Sequence, residues 1–91
     1  MENMDRNIRL KRLKYRSCHR GTREADFMIG SFFDVRSKLW GDGEIEWFEG
    51  FLEEQDVDIM AWALGTQAVP PQLKGPLMAA FCKLDYLTPP N

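Results

Sequence analysis

Arg20-Gly21-Thr22-Arg23-Glu24 sets two guanidinium groups and a carboxylate around a glycine, with Arg16 one helical turn before and Asp26 two residues after. Groups of this kind recognise polar or charged partners through charge-assisted hydrogen bonds, roughly twice as strong as neutral ones. An exposed ion pair contributes only about 0–1 kcal/mol, so stability alone gives little reason for the cluster. Recognition gives a better one. Proton-transfer chemistry fits less well, because Glu24 and Asp26 at i, i+2 diverge on a helix. Cys18 and His19 are adjacent, and neighbours on a helix point about 100° apart, which argues against a Cys–His nucleophile. Cys18 and Cys82 are isolated thiols beside a single histidine, too few ligands for a structural zinc site. Both read as small core residues.

The elements that position this cluster are helical throughout. A basic first helix is expected from about residue 6 to 18, with Leu10, Leu13 and Ser17 or Cys18 inward and Arg9, Arg12 and Arg16 on a solvated face. Gly21 ends it, and Thr22 caps the next. In that second, central helix Ala25, Met28, Ile29, Phe32, Arg36 and Leu39 recur at helical spacing, with Phe33 and Trp40 widening the stripe. Asp42 is expected to cap a third helix burying Ile45, Phe48 and Leu52, with Trp47 and Phe51 flanking. Asp56 should cap a fourth, with Ile59, Met60, Ala63 and Leu64 inward and Gly65 as terminator. Pro70 and Pro71 mark a loop. Pro76 fits the first position of a fifth helix with Leu77, Ala80, Phe81 and Leu84 inward. No segment alternates long enough for a strand. The expected architecture is all-α: a small five-helix bundle forming a single domain over residues 1–91, with flexible tails at about 1–5 and 87–91.

Ninety-one residues, 44% of them apolar, suffice for one compact core but not also for a deep substrate cavity. A free-standing enzyme is therefore not expected. The net charge of −2 conceals an asymmetry. Residues 1–24 hold eight bases and three acids, residues 25–91 four bases and eleven acids, and Asp42 to Asp58 supplies eight acids without a base. Such a chain is expected to be an electrical dipole that favours oriented encounter with a charged partner. The acidic run lacks the spacing of a calcium loop. With no apolar leader or spanning run, a soluble, reduced compartment is expected.

The corner sequence Arg20-Gly21-Thr22-Arg23-Glu24, followed by Asp26 and Phe32-Phe33, resembles the RGxxE signature of the succinate dehydrogenase assembly factor 2 family. Gln55 to Trp62 resembles that family's DxxL-x-x-W helix, with Val57 where many members carry proline. Together the likeness covers about residues 10–65. It implies a flavinylation factor that binds the flavoprotein subunit of succinate dehydrogenase, and the related fumarate reductase, and promotes covalent attachment of FAD to a histidine there. It implies no cofactor of the factor's own and no redox chemistry by it. Carried over by position, Arg20, Gly21 and Glu24 form the partner-binding corner with Arg16, Arg23 and Asp26 beside them. A bacterial member would be cytoplasmic, a processed eukaryotic one mitochondrial. The alternative is a regulatory or interaction protein, toxin-neutralising or nucleic-acid-associated, acting through the basic first helix.

Overall fold

The central helix is built on one apolar stripe. In the computed structural model, which describes residues 2–87, α2 (Arg23–Arg36) buries Ala25, Met28, Ile29, Phe32 and Phe33. Around it run α1 (Glu2–Cys18), α3 (Asp42–Phe51), α4 (Asp56–Leu64) and α5 (Pro76–Lys83). Short 3₁₀ turns at Ser37–Leu39, Pro71–Leu73 and Asp85–Leu87 complete the chain. No strand occurs among the described residues. The all-α, five-helix expectation therefore holds. Thr88 to Asn91, expected to be tail, lie outside the described residues.

Phe32 is the hub of the core. Its ring meets Trp40, Phe48, Phe81 and Tyr86 at centroid distances of 5.9, 6.2, 5.3 and 5.1 Å, two of them edge-on. Offset and edge-to-face pairs of this kind add about 0.5–1.5 kcal/mol beyond simple burial. One aromatic cluster thus ties α2 to α3, α5 and the last 3₁₀ turn. Tyr86 closes it, donating its hydroxyl hydrogen to the Phe81 carbonyl at 2.7 Å. Burial holds that phenol above its ordinary range.

Several local expectations need correction. α1 begins at Glu2, so residues 2–5, read as tail, have helical backbone. Leu39 is 84% exposed, because the 3₁₀ turn after α2 breaks the helical period and swings it out. Leu64, at the end of α4, is likewise exposed, while Phe51 is fully buried rather than flanking. The caps sit one residue earlier than Asp42 and Asp56. Gly41 and Gln55 hold those positions, and the two acids occupy the first helical turn, where a carboxylate complements the helix dipole. Glu44 reaches back to accept the Gly41 N–H at 2.8 Å. Cys18 and Cys82 are only half-buried.

α1 and α2 run antiparallel and close together. A Cβ on Gly30 would meet the Cys18 sulfur at 3.0 Å, so the missing side chain is what lets the helices approach. Lys14 reaches Asp34 further along the same seam, at 2.6 Å.

Candidate functional site

The corner between α1 and α2 is assembled from the inside. Gly21 adopts φ +115°, a conformation that L side chains rarely adopt. α1 has already ended at Cys18, so this glycine shapes the connecting bend rather than closing the helix. Thr22 caps α2 as expected, its Oγ1 accepting the Ala25 N–H at 3.1 Å. The Asp26 carboxylate accepts the backbone N–H of Arg20 across the bend. At the end of α1, His19 stacks on Tyr15 with ring centroids 3.9 Å apart, and its Nδ1 donates to the Tyr15 carbonyl at 2.7 Å.

The six residues expected to form the site divide by direction. Arg23 and Glu24 are exposed, and no described side chain pairs with either. Gly21 is exposed between them and α1. Asp26 is half-buried and turned to Arg20. Arg20 points inward: its side chain is 11% exposed, with Nε on Asp56 Oδ1 at 2.8 Å. Its two terminal nitrogens donate to the carbonyls of Leu52 and Glu54 at 2.9 and 3.0 Å. Arg16 is engaged by Glu53 at 2.6 Å. The expectation of arginines standing free around the corner thus holds for Arg23 but not for Arg20 or Arg16.

That engagement belongs to a longer series. Arg6 pairs with Asp42, Arg9 with Glu49, Arg16 with Glu53 and Arg20 with Asp56. The pairs run in the same order along both segments, so the basic N-terminal stretch lies alongside the acidic one. Of the arginines expected on a solvated face, Arg9 and Arg16 are therefore held by carboxylates, while Arg12 is exposed. Arg9 grips Glu49 with two nitrogens, at 3.0 and 2.7 Å. This bond holds the Glu49 carboxyl below its ordinary range and the guanidinium above its own.

The corner presents Glu24 and Arg23 outward. One exposed carboxylate and one exposed guanidinium can bind a polar surface through charge-assisted hydrogen bonds. Among the described residues no cluster of metal-ligating side chains is found. Two open, mainly apolar grooves beside α5, of about 290 and 320 Å³, share no residue with the corner. No described helix is long and apolar enough to cross a membrane.

Residues 11–85 match the model of a family described as the flavinator of succinate dehydrogenase. The chain belongs to this family. Relatives include the FAD assembly factor SdhE of Acetobacter pasteurianus, 33% identical over 70 residues, a match covering 77% of this chain and 64% of that protein. The mitochondrial succinate dehydrogenase assembly factor 2 of Mycosarcoma maydis is 32% identical over 65 residues, covering 71% and 27%. That of Aspergillus terreus is 37% identical over 59 residues, covering 65% and 19%. The chain therefore spans less than two thirds of the length of these relatives. No solved structure matches.

The sequence marked the candidate corner but missed one residue bonded into it. Asp56 sits at the corner through Arg20, some 36 residues away along the chain. Only the charge segregation of the two segments hinted that they would meet.

Proposed function

We propose that this chain is a flavinylation assembly factor. It docks on the flavoprotein subunit of succinate dehydrogenase, and on that of the related fumarate reductase, and promotes covalent attachment of FAD to the subunit. The corner formed by Arg20, Gly21, Arg23, Glu24 and Asp26, flanked by Arg16, is the docking site. One observation carries this reading: a chain of the flavinator family presents Glu24 and Arg23 outward and unpaired on a corner whose other charged groups are all internally engaged.

The factor acts by binding, as a chaperone rather than an enzyme, and has no cofactor of its own. It stabilises the arrangement of the flavoprotein in which that protein's own groups form the bond to FAD, shifting a population rather than supplying a reactive group. The alternative of a basic-helix binding module would act through the Arg9, Arg12 and Arg16 face; Arg12 is exposed, but Arg9 and Arg16 are held by Glu49 and Glu53, which leaves that face the weaker candidate.

The test is covalent flavin on the flavoprotein subunit, read by fluorescence in a denaturing gel from cells lacking this gene. Wild type should restore the band. Glu24→Ala should not, while its melting temperature stays near wild type, since an exposed side chain away from packing changes stability by less than about 0.5 kcal/mol. A band that persists without the gene would defeat the proposal. An unfolded Glu24→Ala domain would make the corner structural.

A further inference from the structure

The two exposed charges at the corner are too few for the work assigned to them. Shifting a target from about 1% to about 99% competent takes roughly 10⁴-fold tighter binding to the competent state, far more than exposed ion pairs supply. The docking face must extend further, and the bonds of Arg20 indicate where. Its backbone N–H is held by Asp26 in the first turn of α2, while its guanidinium closes on the Leu52 and Glu54 carbonyls and on Asp56. A single residue therefore clamps the connection between α3 and α4 onto the corner. Beside Asp56, Val57 is 70% exposed, an apolar side chain left in water next to the residue that Arg20 grips. Gln55, on its other side, is exposed as well.

Resting on the function proposed above, we infer that Arg20 is a positioning residue rather than a partner contact. It registers the α3–α4 connection against the corner, so that Val57 and Glu24 meet the flavoprotein as one composite face. Planarity is what suits an arginine to this task. A guanidinium serves three acceptors in one plane, whereas a lysine could keep the charge opposite Asp56 but not the fork.

Two measurements on the full chain test this. Hydrogen exchange on the free protein should show faster exchange at residues 53–58 in both Arg20→Lys and Asp56→Asn, with the amides of α2 unchanged. Affinity for the purified flavoprotein subunit should fall about tenfold in each. The double variant should be no weaker than the worse single one, because both changes break the same connection. Val57→Asp should weaken binding while leaving exchange and melting at wild-type values, an outcome that a merely structural clamp would not give. Additive losses for Arg20 and Asp56 with unaltered exchange would make Arg20 a direct contact and overturn the inference. So would wild-type affinity in Val57→Asp. Failure of the unmodified chain to bind the flavoprotein would instead overturn the underlying function, and the inference with it.

Discussion

At the scale of single residues, Gly21 and Glu24 lie three positions apart and answer to different physics. Glu24 is exposed and unpaired, so its value lies in what it meets outside the chain. Gly21 matters through its backbone. A Cβ there would touch nothing within 4 Å, so the obstacle to substitution is the φ of +115° and not crowding. Holding an L residue in such a region costs about 1–3 kcal/mol. Gly21→Ala should therefore lower stability by about that amount in denaturant melts and impair flavinylation as well, because relaxing the strain re-aims the bend carrying Arg23 and Glu24. Gly21→Asn should bring little relief, because the left-handed region that asparagine tolerates lies at about φ +57°, well short of +115°. Equal stability of Gly21→Ala and wild type would show that the bend adapts freely.

At the scale of elements, the helices were legible because their punctuation is local. Thr22, Gly65 and Pro76 stand where a cap, a terminator and a first helical residue were expected. Asp42 and Asp56 were misjudged by one position because an acid near a helix start has two uses, as cap and as partner of the dipole. α5 ends on Leu84 at φ +61°, where no glycine marks the stop. The Gly30 seam was invisible for a different reason: nothing local announces which neighbour a mid-helix glycine will admit. A glycine inside a helix costs about 0.5–1 kcal/mol relative to alanine, and here the close approach of α1 offsets it. Gly30→Ala should accordingly bring little or no gain, since the new Cβ would press on the Cys18 sulfur at 3.0 Å. In a Cys18→Ala background the same change should recover a stabilisation of about 0.5–1 kcal/mol. A melting series over the four proteins of this cycle measures the coupling, and strict additivity would mean the seam yields without strain.

At the scale of the whole molecule, the charge pattern was legible in amount but not in arrangement. Composition along the chain separates bases from acids, and the fold brings the two back together through Arg6, Arg9, Arg16 and Arg20. Only packing decides which of the segregated charges meet, which is why the sequence alone did not show the seam. The seam has a pH signature. Hydrogen bonding to Arg9 holds the folded Glu49 carboxyl below the ordinary value of 4.5. The native state therefore binds its proton less readily than the unfolded chain does. The stabilisation is complete above the unfolded value and disappears as pH falls through the lower folded one. The Arg9 side of the pair makes no comparable change in acid, because its guanidinium, held above its already high ordinary value, remains charged throughout. Melting temperatures of wild type and Glu49→Gln should differ at neutral pH, with wild type higher, and converge below pH 4.5. Both partners are about one third exposed, so added salt should narrow the neutral-pH gap without abolishing it. A gap that persists unchanged in acid would assign the stabilisation to packing of the Glu49 side chain rather than to its charge.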